Sequence, residues 1–339
     1  MKAMVLRRPA PVESRPLSLE DLPEPVPGPG EVRIKVRFCG VCRTDLHIVE
    51  GELPPVRLPL VPGHQIVGVV DAVGDAPNNA DSGVRVGDRV GLPWLYSACG
   101  QCSFCLKGQE NLCERIQFTG YSYNGGYAEY VIARKDFVIQ LPPAFSDLDA
   151  APLLCAGIIG YRSLKIAGVK PGDTVGLFGF GASAHLAIQV ARHWGCDVLV
   201  FTRSVAHQNL ARELGASWAG RAEDGPAGSC DAAVSFAPAG SVIPAALRAL
   251  KKGGTLAVNA VHLDGVPAFD YSLLYWEKSV KSVANATRED AREFIRLAAE
   301  IPVKVSTEVF PLEEANEALL RLKRAQIQGE AVLEVARVV

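Results

Sequence analysis

Hydrophobic and polar positions alternate strictly from Glu31 to Phe38. Val32, Ile34, Val36 and Phe38 share one face, and Arg33, Lys35 and Arg37 share the other. A period of two predicts a strand with one buried face in an antiparallel sheet. The preceding Pro23-Glu24-Pro25-Val26-Pro27-Gly28-Pro29-Gly30 is restricted to a loop. Further strand-like runs follow at Ile66 to Ala72, Arg89 to Leu92 and Tyr127 to Ala133, separated by Gly and Pro. The first third therefore reads as an all-β, barrel-like domain.

The pattern changes near Leu148. Thr174 to Phe178 is an apolar strand, Ala182 to Trp194 a helix, Asp197 to Phe201 a strand and Val205 to Leu214 a helix. Ala232 to Ser235 and Thr255 to Val258 continue the series. Such alternation predicts parallel strands joined by crossover helices. An edge strand is expected at Val280 to Ala284. A helix-rich tail follows about Thr287 and ends in a strand from Ala331 to Val338.

A chain of 339 residues is long for one hydrophobic core and suits two domains. Its net charge of -2 gives no electrostatic reason to expect nucleic acid or an anionic membrane as a partner. No export signal is read at the N-terminus. The longest apolar stretch, around Ala150 to Tyr161, reads as too short for a membrane span and carries Pro152, Gly157 and Gly160. A cytoplasmic protein is expected, whose nine cysteines are mostly thiols.

Four of those cysteines are clustered. Cys99, Cys102, Cys105 and Cys113 have the spacing C-x2-C-x2-C-x7-C, which lets the thiolates close a tetrahedral S4 site of the kind zinc prefers. Such a site has no open coordination position and is structural. Free thiols or an iron–sulfur cluster are the alternatives. Two other pieces, Gly40-Val41-Cys42-Arg43-Thr44-Asp45-Leu46-His47 and Pro62-Gly63-His64-Gln65, carry metal-ligand residue types but are weak signals alone. Cys39, Cys196 and Cys230 read as buried thiols. His185, His193, His207 and His262 receive no role.

Gly179-Phe180-Gly181-Ala182-Ser183-Ala184 follows a strand and opens a helix, fitting G-x-G-x-x-G/A in its strand–turn–helix context. Gly179 allows the turn, Gly181 lets backbone approach a pyrophosphate, and Ala184 is small enough for close helix packing. The helix N-terminus at Ala182 offers free N–H groups to phosphate. Where an NAD site usually carries a carboxylate, this chain has Thr202-Arg203-Ser204. Arg203 can pair with the 2′-phosphate of NADP, with Thr202 and Ser204 donating hydroxyls, so NADP(H) is favoured over NAD(H).

Together these motifs resemble the zinc-dependent medium-chain alcohol dehydrogenase family of the medium-chain dehydrogenase/reductase superfamily. The resemblance spans the whole chain. It extends to Val86-Gly87-Asp88-Arg89-Val90, Gly125-Gly126-Tyr127-Ala128-Glu129-Tyr130 and Leu154-Cys155-Ala156-Gly157. It implies a GroES-like β-barrel catalytic domain at 1–151, completed by 288–339. A Rossmann doubly wound parallel-sheet domain would occupy 152–287. It also implies two zinc ions per subunit. Cys42, His64 and Cys155 would hold the catalytic ion and Cys99, Cys102, Cys105 and Cys113 the structural one. The ligand set Cys2His is the one general chemistry already assigns to alcohol dehydrogenase. Asp45 would orient the zinc-bound His, Arg43 would meet the cofactor pyrophosphate, and Trp94 would line the substrate pocket.

The implied chemistry interconverts alcohols and aldehydes. Zinc stabilises a bound alkoxide, hydride passes to the nicotinamide, and the proton leaves through Thr44 to His47. A polyol, formaldehyde or cinnamyl-type dehydrogenase is the alternative within the family. Three positions depart from its pattern. Gln65 stands where many members have Glu, Ile159 where a Thr is frequent, and Thr202 where NAD-preferring members are acidic. A zinc-free reductase of the same fold would lack the seven ligands. A zinc ribbon for nucleic acid would need a basic face, and Cys99 to Cys113 has only Lys107 against Glu110. The resemblance further implies a homodimer or homotetramer acting on small molecules, without membrane or nucleic-acid partners.

Overall fold

In the computed structural model, which describes residues 1–74, 83–261, 263–301, 303–327 and 329–336, the alternating segment is a strand from Glu31 to Val41. Val32, Ile34 and Val36 are buried and Lys35 is exposed, as a period of two requires. The alternation ends where the register against the Gln65–Val73 strand shifts between Val36 and Phe38. Such a bulge re-aims the side chains that follow. Beyond it Cys39, Gly40 and Val41 are all buried. Cys39 faces Leu333 on one neighbour and Ile66 on the other.

Contacts divide the chain into two units. The first comprises Met1–Cys155, Thr287–Ala299 and Val305–Val339. Its main sheet runs Thr307–Pro311, Glu330–Glu334, Glu31–Val41, Gln65–Val73, Arg89–Leu92, Ile139–Gln140. Tyr130–Arg134 pairs antiparallel with the first half of Glu31–Val41. All these pairings are antiparallel except Thr307–Pro311 with Glu330–Glu334. The core joins Val32, Ile34, Ile66, Val90 and Leu92 to Met4 and Leu6 from the N-terminus and Phe310 and Leu333 from the C-terminus. Burying such side chains stabilises the unit by about 1.5–3 kcal/mol each. The C-terminal strand covers Glu330–Glu334 among the described residues, and the last positions assigned to it from sequence, 337 and 338, lie outside them.

A helical run from Asp147 to Ala167 begins with Ser146 Oγ accepting a hydrogen bond from Asp149 N. The Asp147 carboxylate at its start takes Arg37 at 2.6 Å and Arg89 at 2.5 Å, tying the helix to two strands. The run is α-helical to Pro152, forms a π-turn over Leu153–Gly157, and is α-helical again from Ile158. Its 21 residues correct the reading of this stretch as too short for a membrane. By length and composition it could cross one, but two thirds of its most apolar window (67%) is buried inside the protein. The π-turn carries Cys155.

The second unit, Ala156–Ala286 with Glu300–Lys304, holds a six-stranded sheet, parallel throughout. Its order is Trp218–Gly220, Asp197–Phe201, Thr174–Phe178, Cys230–Ser235, Leu250–Val258, Ser279–Ser282. This is the strand order 3-2-1-4-5-6 of a doubly wound dinucleotide fold, with the switch point beside Thr174–Phe178. Helices Ala182–His193 and Val205–Glu213 form the crossovers on that side.

Candidate active site and metal centres

Cys42 ends the Glu31–Val41 strand and caps the helix Arg43–Glu50. Its Sγ accepts from Thr44 N, and Asp45, three residues on, reaches back to the Cys42 N–H at 2.9 Å. This capping box makes the sulfur both helix cap and candidate ligand. The fully buried Asp45 carboxylate also accepts from Gly63 N at 3.3 Å and meets His64 Nδ1 at 2.9 Å. One carboxylate thus holds both short motifs and leaves His64 Nε2 facing Cys42 Sγ at 3.3 Å.

The loop before His64 is clamped by the Gly-Gly-Tyr segment. Gly125, Gly126 and Tyr127 donate backbone hydrogen bonds to Val61, Gly63 and Pro62. A Cβ on Gly125 would lie 1.9 Å from the Gly63 oxygen, so only glycine permits that approach. The sequence marks this segment as a family motif but does not show that it holds the loop carrying His64.

Cys155 completes the cluster. The donor atoms of Cys42, His64 and Cys155 all lie within 4.8 Å of one another. A π-turn is a frequent local device at functional sites. The Cys42 thiol is held well below its usual range, first by the hydrogen bond from Cys155, against burial, then by His64, with the Thr44 side chain contributing. Cys155 is pushed up by the same bond and by burial. Two sulfurs and an imidazole crowded around one point are a donor set that a dication balances.

The second cluster is local. Cys99, Cys102, Cys105 and Cys113 also converge within 4.8 Å. Cys102 and Cys105 sulfurs are 3.6 Å apart and Cys99 and Cys105 sulfurs 3.8 Å. With Zn–S near 2.3 Å, a tetrahedron has edges of about 3.8 Å, so the four sulfurs fit zinc. Backbone N–H groups of Cys99, Cys102 and Arg115 donate to Cys113, Cys99 and Cys113 sulfurs. The N–H groups of Gln101 and Cys102 bring the Cys99 thiol down to about 5, whereas burial and Cys102 push Cys105 up to about 12. Arg288 Nε, 2.8 Å from Glu110 Oε1, ties the lobe to the helix Arg288–Glu300.

Trp94 stands edge-on to His64, ring centroids 4.8 Å apart, and stacks on Phe118 at 4.8 Å with Tyr121 at 5.9 Å. Sequence reasoning singled out Trp94 and missed the other two rings, which have no local signal. It also flagged Gln65 and missed its neighbour. The amide of Gln65 and the carboxyl of Glu330 are buried near one another, and no hydrogen bond to their polar side-chain atoms is formed among the described residues. Burial, then Cys42, push the Glu330 carboxyl well above its usual range, and the Gln65 amide opposes this.

In the second unit, Gly179 has φ +85, and Gly181 lies where an added Cβ would meet no protein atom within 4 Å. The helix beginning at Ala182 has no side-chain cap, leaving its first N–H groups open for phosphate. Ala184 is fully buried. Thr202 N donates to Gly220 O at 2.8 Å, Ser204 Oγ accepts from His207 N at 3.3 Å, and Arg203 is exposed with no ion pair among the described residues. Ile159 is half-buried and Arg43 exposed. His185, given no role from sequence, is buried with Nε2 unpartnered among the described residues, and burial takes it down to about 4. Cys39, Cys196 and Cys230 are buried free thiols. His262 lies outside the described residues.

A barrel bearing a Cys2His cluster and an S4 lobe, in one chain with a Rossmann sheet, defines an oxidoreductase of the zinc dehydrogenase class. Residues 28–143 match the model of the alcohol dehydrogenase GroES-like domain and 184–300 that of the zinc-binding dehydrogenase domain. The chain is 45% identical to a probable alcohol dehydrogenase, AdhA, of Mycobacterium tuberculosis, over 98% of this chain and 97% of that one. Its fold is similar to that of a cinnamyl alcohol dehydrogenase from Sorghum bicolor (TM-score 0.88, 28% identity, 98% and 97% covered). It is also similar to acetophenone reductase from Geotrichum candidum in complex with NAD (TM-score 0.85, 28% identity, 98% and 97% covered). The chain belongs to the zinc-dependent medium-chain alcohol dehydrogenase family. It is an enzyme of alcohol and aldehyde oxidoreduction that uses zinc and a nicotinamide cofactor.

Proposed function

We propose that the enzyme interconverts primary alcohols and aldehydes, preferring NADP(H), with a catalytic zinc at Cys42, His64 and Cys155 and a structural zinc at Cys99, Cys102, Cys105 and Cys113. The observation that carries this reading is the convergence of Cys42, His64 and Cys155 with the Asp45 carboxylate behind the imidazole. When bound, the metal makes a coordinated hydroxyl acidic or polarises a carbonyl, and the nicotinamide accepts or returns the hydride.

The chain's own side chains do the rest. Asp45 fixes the His64 ring by accepting from Nδ1, so that Nε2 presents its lone pair. Thr44, whose side chain reaches the Cys42 sulfur, takes the hydroxyl proton and passes it toward His47, three residues on and adjacent on the helix surface. Trp94, Phe118 and Tyr121 form an apolar wall beside His64, which favours aromatic or alkyl alcohols over polyols. Gly179, Gly181, Ala182 and Ala184 shape the phosphate turn, and exposed Arg43 is offered to the pyrophosphate. Thr202, Arg203 and Ser204 meet the 2′-phosphate.

Initial rates with NADPH and NADH against a panel of aldehydes, with zinc counted per chain, test this reading. We expect two zincs and higher kcat/KM with NADPH. Arg203→Ala is expected to raise the KM for NADP(H) about 10–100-fold, the loss of one charge-assisted contact, and to leave that for NAD(H) nearly unchanged. Equal effects on both cofactors overturn the NADP assignment.

We further propose that two chains pair through the exposed edge strand Ser279–Ser282, in a dimer or a dimer of dimers. Among the described residues its outer edge is unpaired, and Tyr271, Tyr275, Trp276 and Val280 are exposed on or near it. Thiols this numerous suit the reducing cytoplasm. Sedimentation equilibrium should return a multiple of 36.2 kDa, and Val280→Pro should lower it. A wild-type mass of one chain excludes the dimer.

A further inference from the structure

Three neighbouring strands of the barrel place Gln65, Gly40, Cys42 and Glu330 on one face. Gly40 pairs with Gln65 on one side and with Val332 on the other. Ala331 pairs with Val41, so one further step of the same register sets Glu330 beside Cys42. Cross-strand partners share a face, and so do alternate residues along a strand. Gly40 leaves room for the side chains that cross it: a Cβ there would lie 2.8 Å from the amide carbon and nitrogen of Gln65. Glu330 is fixed at the start of its strand, where its N–H donates to Ser306 O at 2.9 Å.

We propose that Glu330, with Gln65 beside it, is a second buried carboxylate of the catalytic metal centre and sets how tightly the dication is held. This rests on the proposed zinc site at Cys42, His64 and Cys155. Glu330 is 3% exposed and Gln65 0%, and none of the polar atoms of their side chains makes a hydrogen bond among the described residues. Buried polar groups are ordinarily paired, so a carboxyl placed in this way calls for a partner of another kind. Its charge acts on Cys42 and His64, and also on Cys155, so it faces all three candidate ligands. Against thiols alone that charge is repelled. Against a dication in the same low-dielectric interior it is attracted. The two carboxylates of the centre therefore divide the work. Asp45 is committed to Cys42 N, Gly63 N and His64 Nδ1, and it orients the ring. Glu330 makes no such bonds and acts by charge. Position 65, next to His64, is a neutral Gln, and the chain carries the negative charge on Glu330, two strands across.

Zinc release from the loaded protein to a chromogenic chelator is compared for wild type, Glu330→Gln and the exchange Gln65→Glu with Glu330→Gln. The phase missing from Cys42→Ala identifies the catalytic centre. Glu330→Gln keeps the shape and removes the charge. It should release the catalytic zinc about tenfold faster, as loss of a group that supports metal ligands typically does, while the S4 zinc leaves at the wild-type rate. The exchange returns a carboxylate to the centre from the other strand and should bring release back toward wild type. A residue that merely started its strand would lower the melting temperature of zinc-free and loaded protein alike and leave the release rate unchanged. A Glu330→Gln protein that keeps its catalytic zinc as long as wild type overturns the proposal. So does an exchange that folds, by far-UV circular dichroism, yet releases zinc as fast as Glu330→Gln, since shape and not charge would then be at work. A wild-type protein that holds only the S4 zinc fails the catalytic-zinc reading itself, and that failure is seen before any change at 330 is made.

Discussion

Replacing Cys42, His64 or Cys155 with alanine is expected to lower kcat/KM by about four orders of magnitude or more, a loss of about 5 kcal/mol of transition-state stabilisation. The fold should survive each change. None of the three is a large core side chain, and the barrel core of Val32, Ile34, Ile66, Val90 and Leu92 is untouched. Cys42→Ala also removes the acceptor for Thr44 N, which costs about 1 kcal/mol of helix capping. Zinc content should fall by one ion per chain while the S4 lobe keeps its own. Rates, metal analysis and far-UV circular dichroism together decide the matter: near-normal turnover in any of the three variants means that residue is not a ligand.

Asp45→Ala carries the second largest effect. The carboxylate is fully buried and takes hydrogen bonds from Cys42 N, Gly63 N and His64 Nδ1. Its removal leaves two backbone donors and a ring N–H unpaired in the interior, at about 1–3 kcal/mol each. It also frees the His64 ring to rotate, and loss of such an orienting carboxylate typically weakens metal affinity or activity about 10–100-fold. The melting temperature should drop and zinc should leave faster to a chelator. Asp45→Asn can accept but not carry charge, and should fall between. An Asp45→Ala enzyme that keeps its zinc and its rate would show that the carboxylate only fills space.

Much of the fold was legible because the signals were local. The period of two in Glu31 to Phe38, the glycine turn after Thr174–Phe178 and the alternation of strand and helix each act within a few residues. The bulge after Val36 was not legible, since it depends on the partner strand. Nor was the π-turn at Leu153–Gly157, where Pro152 can supply no N–H and the ladder slips by one residue. The helical run from Asp147 to Ala167 was underestimated for the same reason: its glycines and proline look like breaks, yet the burial around them keeps the helix continuous.

The sequence by itself determined the four-sulfur lobe and the dinucleotide turn. Their parts are close neighbours along the chain, and spacing alone constrains where they can point. The sequence pointed to the other candidate centre only through the family resemblance, and its assembly is visible only in the tertiary structure. Cys42, His64 and Cys155 come together through a helix cap, a loop clamped by Gly125 and a π-turn. The side chains around them, Phe118, Tyr121 and Glu330, arrive from strands and turns with no local mark of their role. The physical reason is range: capping and turn chemistry act over three or four residues, whereas a cluster such as Cys42, His64 and Cys155 is assembled by tertiary contacts between segments far apart in the chain.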